Sequence, residues 1–241
     1  MSRPTSLPSV EVEPVPPDLF GGWTVQPSRF PPFCQAQWRL PACCPLVVLV
    51  IASGNRHKVA EIAGMLSDLP LEVQQQPQGL EIEETGSTYL ANARLKAEAV
   101  AQLTGQWALA DDSGLEVDAL GGAPGIYSAR YAGSDPERIH RLLAELGNTP
   151  YRSASFNSAM ALAGPDGITV LEAQGICRGE ILHTPQGQGG GYDPIFWVRE
   201  AGCSYAELSE HQRLRLGSRG KAARQMAVEL RELLGLASAL G

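Results

Sequence analysis

From residue 46 onward, short apolar runs alternate with stretches of helical period. Leu46 to Ala52 is continuously apolar and rich in β-branched residues, as a strand buried on both faces is. Ser53-Gly54-Asn55 reads as a turn, and Val59, Ile62, Ala63 and Leu66 recur on one face of a following helix. Leu71 to Gln75 predicts a second strand. Ser87 to Leu103 predicts a long helix with Leu90, Ala93, Ala97, Val100 and Ala101 on its apolar side. Trp107 to Ala110 is a short apolar run that places the acids after it at the end of a strand. Asp135-Pro136 opens another helix, with aspartate as its cap and proline in its first turn. Ile139, Leu142, Leu143 and Leu146 line that helix, and Gly147 ends it.

Tyr151 to Ala163 and Ile168 to Cys177 read as a hairpin around Gly164-Pro165-Asp166-Gly167. Pro194 to Val198 adds a strand, and Arg219 to Leu236 closes the chain as a helix with Met226, Leu230, Leu233 and Leu234 spaced for burial. A βα start followed by a long antiparallel insertion predicts an α/β protein: a mixed, elongated sheet flanked by helices, in two lobes with a cleft between them. Residues 1–45 stand apart. They hold ten of the 18 prolines, show neither period and carry no net formal charge, which predicts a disordered extension ahead of one domain over 46–241.

The formal charge of −7 argues against a nucleic-acid-binding surface, which needs basic stripes. A small anionic substrate is compatible with it if cations are concentrated locally. The five cysteines show no paired zinc spacing, and their odd number without a secretory signal points to a reducing cytoplasm. No apolar run reaches membrane-spanning length.

The candidate chemistry lies in the turns. Ala110-Asp111-Asp112-Ser113-Gly114-Leu115-Glu116-Val117-Asp118 packs four carboxylates into nine residues. Adjacent aspartates repel, so an ordered chain keeps them together beside a cation; Mg²⁺ takes a few carboxylates and leaves its other positions to phosphates. The alternative is a solvated acidic turn. Ser53-Gly54-Asn55-Arg56-His57-Lys58 joins a strand to a helix, where backbone N–H groups and the helix dipole attract an anion, with Lys58 one turn in. Its plainer reading is Ser53 as a cap and Lys58 in solvent. Glu81-Ile82-Glu83-Glu84 precedes the helix on which Asn92 and Lys96 share a face. Gly187-Gln188-Gly189-Gly190-Gly191-Tyr192-Asp193-Pro194 is a bare loop next to a ring able to stack on a planar base, or simply a flexible loop beside a core tyrosine. Arg219 opens the last helix.

Taken in order, these segments resemble the inosine triphosphate pyrophosphatase family, the non-standard purine nucleoside triphosphate pyrophosphatases. The pieces are Ser53-Gly54-Asn55 with Lys58 and Glu61; Glu83-Glu84-Thr85-Gly86 with Thr88, Asn92 and Lys96; Asp111-Asp112-Ser113-Gly114-Leu115; Gly121 to Tyr131; and Gly191-Tyr192-Asp193-Pro194-Ile195-Phe196. The resemblance implies a homodimer that cleaves ITP, dITP and XTP, with Mg²⁺, to the monophosphate and pyrophosphate. By position it implies Asp112 as general base and metal-associated acid, and Glu84 as a further metal acid. Substrate contacts fall to Ser53, Gly54, Asn55, Arg56, His57, Lys58, Lys96 and Ser113. The base side falls to Gly190, Gly191, Tyr192, Asp193, Arg213, Ser218 and Arg219.

Three positions depart from the family pattern, all on the base side. Gly190 stands where a phenylalanine is usual, Ser218 where a histidine is usual, and Arg213 where a lysine is usual. Two alternatives remain: a same-fold pyrophosphatase for another base, such as a modified pyrimidine, and a nucleotide sensor that does not cleave.

Overall fold

The computed structural model describes residues 47–234, so the proline-rich residues 1–45 and the last residues of the predicted closing helix lie outside the described residues. The strands are β1 (Val47–Ile51), β2 (Leu71–Gln75), β3 (Trp107–Val117), β4 (Ser153–Ala163), β5 (Thr169–Ile181), β6 (Phe196–Val198) and β7 (Cys203–Ser204). The helices are α1 (Arg56–Met65), α2 (Tyr89–Thr104), α3 (Asp135–Leu146), α4 (Glu210–Leu216) and α5 (Ser218–Leu233). The seven strands form one sheet in the order β2-β1-β3-β4-β5-β6-β7. β1 runs parallel to both its neighbours, and every pairing from β3 to β7 is antiparallel. The predicted mixed sheet flanked by helices is therefore what forms.

The core has separate parts. At the β1 end, α2 buries Ala93, Ala97, Val100 and Ala101 on one face, while α1 and α5 bury Ile62, Met226 and Leu230 on the other. Alanines on α2 let helix and sheet approach closely. At the far end a third cluster gathers Leu115, Val117, Leu142, Leu146, Ile195 and Phe196. Asp111, Asp112 and Ser113 fall in the middle of β3, between these clusters.

That placement corrects one expectation. The acids do not end a strand: β3 continues to Val117, and Asp111 and Asp112 pair in register with Met160 and Ala159 of β4. A full-length antiparallel partner satisfies the backbone, which outweighs the poor strand preference of aspartate. Helix α3 is capped by Ser134, whose hydroxyl accepts from Glu137 N, and Asp135 is already inside the first turn. Helix α1 is capped by Asn55 rather than Ser53. The hairpin strands start at Ser153 and Thr169, and β5 runs on to Ile181.

Candidate active site

Each functional side chain is delivered by the end of an element or by the middle of β3. After β1, Asn55 Oδ1 accepts from His57 N at 2.9 Å and Lys58 N at 3.3 Å, which fixes the first turn of α1. Ser53 Oγ accepts from Asn55 N at 3.2 Å. Lys58 Nζ then reaches across to Asp111 Oδ2 at 3.3 Å. Arg219, at the start of α5, donates Nε and Nη2 to the same Oδ2 at 3.2 and 3.1 Å. Its Nη1 lies 2.6 Å from Glu61 Oε2, and Nη2 also donates to Ser113 Oγ at 3.0 Å. Burial pushes the Asp111 carboxyl up, but Arg219 and Lys58 outweigh it and hold the group far below the ordinary aspartate range. Its second oxygen, Oδ1, is buried without a partner.

A second centre adjoins the first. Lys96 Nζ donates to Glu84 Oε1 at 2.8 Å, to Asp112 Oδ1 at 3.1 Å and to the Asp111 carbonyl at 3.0 Å. Asn92, fully buried on α2, ties the pieces together: its Oδ1 accepts from Gly86 N at 2.8 Å and its Nδ2 donates to Asp112 Oδ2 at 3.2 Å. Arg130 Nη1 donates to Glu84 Oε2 at 2.8 Å. Burial raises the Asp112 carboxyl above its usual range, whereas Lys96 and Arg130 overcome burial at Glu84 and lower it. Two neighbouring carboxyls pushed in opposite directions are equipped for different tasks.

Beside these centres opens a cavity of about 730 Å³. Asn55, His57, Lys58, Ser113 and Arg219 line it, together with Gly190, Gly191, Tyr192, Asp193, Arg213 and Ser218 from the predicted base side. The Tyr192 ring is buried and its hydroxyl donates to the Ser128 carbonyl at 3.1 Å. Arg213 pairs with Asp193 at 3.3 Å and lies over the Tyr205 ring. Ser218 Oγ and Ser158 Oγ share a hydrogen bond of 2.8 Å on the cavity wall. Glu84, Lys96, Asp112, Ser53 and Gly54 are not part of this lining, and Arg56 is exposed and outside it.

Sequence reasoning missed Glu61, Asp111, Arg130 and Asp135 as working parts. Glu61 and Asp111 were visible only as members of motifs. That they hold Arg219 depends on contacts spanning most of the chain. Asp135, whose Oδ2 accepts from Gly191 N at 2.5 Å, gave no signal beyond helix capping.

Fold and site together define an α/β protein that gathers cations and carboxylates around a nucleotide-sized cavity. The Ham1 family profile matches residues 49–229, and the chain belongs to that family. It is 54% identical over 188 residues to the dITP/XTP pyrophosphatase of Synechococcus sp. strain CC9311, covering 78% of this chain and 91% of that protein. It is 52% identical over 176 residues to the protein of the same name from Nostoc sp. strain PCC 7120, covering 73% and 90%. Among solved structures it resembles a HAM1 protein from Coxiella burnetii with a TM-score of 0.72 at 41% identity, covering 78% of this chain and all of that one. The Staphylococcus aureus Ham1 protein is similar, with a TM-score of 0.70 at 40% identity, covering 77% and 99%.

Proposed function

We propose that the chain is a nucleoside triphosphate pyrophosphatase that hydrolyses deaminated purine nucleotides, dITP, ITP and XTP, to the monophosphate and pyrophosphate. The observation that carries this reading is the convergence of Glu84 and Asp112 on Lys96, next to Lys58 and Arg219 gathered on Asp111. The names of its relatives point the same way.

A triphosphate carries about four negative charges, and cleaving it is mainly a matter of positioning and charge neutralisation. Lys58, Ser113 and the first turn of α1 would hold the polyphosphate, exchanging part of their resting contacts for phosphate oxygens, while Arg219 would stand on the base side. Asp112, raised by burial and steadied by Asn92, would take the proton from the attacking water. The water oxygen bonds to a phosphorus flanking the α–β bridge, and the bridging P–O bond breaks. Lys96 would meet the charge that develops.

Among the described residues no group of three or more His, Cys, Asp or Glu forms a cage for a metal. The donors present are carboxylate oxygens of Glu84 and Asp112, with the unpartnered Asp111 Oδ1 close by in the chain. An incomplete, oxygen-only donor set fits Mg²⁺, which keeps waters and takes substrate phosphates as its remaining ligands. Bound there, Mg²⁺ would neutralise phosphate charge and lower the pKa of a bound water.

We further propose that the enzyme works as a homodimer on the cytoplasmic nucleotide pool, with residues 46–241 as its functional unit. The net charge of −7 disfavours a nucleic-acid partner, and no helix among the described residues is long and apolar enough to cross a membrane. A panel of ITP, dITP, XTP, GTP, ATP and dTTP, assayed for pyrophosphate with and without Mg²⁺, tests the reading. A preference for GTP or dTTP, or binding without cleavage, would refute it.

A further inference from the structure

One turn of the cavity wall depends on a carboxylate that the chemistry does not use. Asp193 N donates to the Gly190 carbonyl at 3.2 Å and closes a four-residue turn, with Gly191 at φ +60° and Tyr192 at φ −99° and ψ 2°. Such a turn uses the amide of its fourth residue and leaves that of its second, here Gly191, to an outside partner. That partner is Asp135, whose Oδ2 accepts from Gly191 N at 2.5 Å across 56 residues of sequence. Little else is in reach of the two glycines. A Cβ at Gly191 would meet nothing within 4 Å, and one at Gly190 only Asp135 Oδ2, at 3.5 Å.

Asp135 is free for this work. Ser134 already caps α3, so the Asp135 carboxylate is not needed to start the helix. Arg138, one turn on, pairs with it and donates to the Ala129 carbonyl, which fixes the direction the carboxylate faces. An N–H donated to a carboxylate is about twice as strong as a bond between neutral groups. The following residue is anchored to the same stretch of chain, because the buried Tyr192 donates its hydroxyl to the Ser128 carbonyl. Ser128 and Asp135 thus hold neighbouring points of one turn, and that turn carries Asp193 to Arg213. Gly190, Gly191, Tyr192 and Asp193 all line the cavity.

We propose that Asp135 is a positioning residue for the nucleoside end of the substrate: by holding the Gly191 N–H it keeps the Gly190–Asp193 turn in place as a wall of the site. This rests on the pyrophosphatase reading and extends it to a residue outside the motifs. Asp135 touches no reacting atom, and it shares no hydrogen-bond partner with Asp111 or Asp112. Its loss therefore weakens nucleotide binding and leaves the chemical step and the grip on phosphate as they are.

The test compares the full-length protein with Asp135→Ala and Asp135→Asn in three measurements. These are KM and kcat for ITP with Mg²⁺, the inhibition constant of inorganic tripolyphosphate, and backbone amide exchange without nucleotide. Asp135→Ala is expected to raise KM about tenfold with kcat changed by less than about twofold, and to speed exchange at Gly191 about tenfold. Tripolyphosphate carries no nucleoside, so its inhibition constant should move by less than about twofold. Asp135→Asn keeps an oxygen for the Gly191 N–H but loses the charge and the ion pair with Arg138, so it is expected to restore most of the KM. Equal losses in both variants would trace the effect to charge instead of the hydrogen bond and overturn the assignment. An unchanged KM, or a matching loss of tripolyphosphate binding, overturns it too. Should neither variant fold, the wild type decides: a Gly191 amide exchanging as fast as those of Gly189 and Gly190 overturns the assignment, and slower exchange supports it. A wild type that cleaves no ITP refutes the pyrophosphatase reading itself, and the exchange rates still decide whether Asp135 holds the turn.

Discussion

Glu84 and Asp112 meet the same ammonium: Lys96 Nζ lies 2.8 Å from one carboxylate and 3.1 Å from the other. The two acids come from the loop before α2 and from the middle of β3. Lys96 screens their repulsion in the resting protein. A substrate-bound cation would take over that task, freeing the lysine for phosphate oxygen.

Asp112→Asn keeps an acceptor for Asn92 and a similar volume, so the fold is expected to survive. Without a base, kcat should fall by about 10²–10⁴. Because burial raises the wild-type carboxyl, and because the base acts when deprotonated, activity should be lost as pH falls through a value above the ordinary aspartate range. Steady-state kinetics and circular dichroism check both points. A folded variant with near-normal kcat would remove Asp112 from the mechanism.

Lys96→Met leaves the buried Asp112 facing the partly exposed Glu84 with no cation between them, Arg130 remaining only on the outer oxygen of Glu84. Removing one partner of such a cluster costs roughly 3 kcal/mol, less here for the partly exposed Glu84. If Mg²⁺ binds these acids, it should restore more stability to the variant than to the wild type. Thermal melts across a magnesium titration read this directly, and parallel curves for both proteins would count against the metal assignment.

Asp193 supplies a pH signature. Burial pushes its carboxyl up to about 6 despite Arg213. Between the unfolded value near 4 and about 6, the folded protein holds a proton that the unfolded chain has released, so this group's contribution falls as pH rises. The loss is at most roughly 3 kcal/mol, complete above pH 6. Asp193→Asn does not titrate. Denaturant unfolding at pH 4 and pH 7 should therefore show the wild type losing stability relative to the variant, and an unchanged difference would contradict the assignment.

Gly175 on β5 fixes how closely α5 approaches the sheet. A Cβ there would fall 2.1 Å from the Ser218 carbonyl oxygen and 2.7 Å from Ala222 N, both backbone atoms. Gly175→Ala must displace the turn that carries Arg219, at a cost of about 1–3 kcal/mol and with reduced kcat/KM. Gly64→Ala in α1, where nothing lies within 4 Å, is the control and should be neutral or stabilising by up to about 1 kcal/mol. Equal behaviour of the two variants would show that the α5 contact is unimportant.

Elements with a clean period were legible in the chain itself. Val47–Ile51 announces itself by apolar content, Leu71–Gln75 by the alternation of Leu71 and Val73 with polar residues, and α2 by its alanine-rich stripe. The true length of β3 was not legible, because Asp111, Asp112 and Ser113 interrupt the apolar run and the strand is held by its partner β4. The acids, lysines and glycine loop stood out as candidates, and the structure gathers most of them. What no local pattern carries is the Arg219–Asp111–Glu61 network, or Asp135 against the glycine loop. Those contacts join α1, β3 and α5, or α3 and the segment before β6, and exist only once the sheet has assembled.

The most direct test of the central claim is the product ratio from ITP and Mg²⁺ with the purified protein. The account predicts one pyrophosphate released for every inosine monophosphate formed, and loss of both products in Asp112→Asn. Release of orthophosphate with inosine diphosphate, or no product at all, would contradict it.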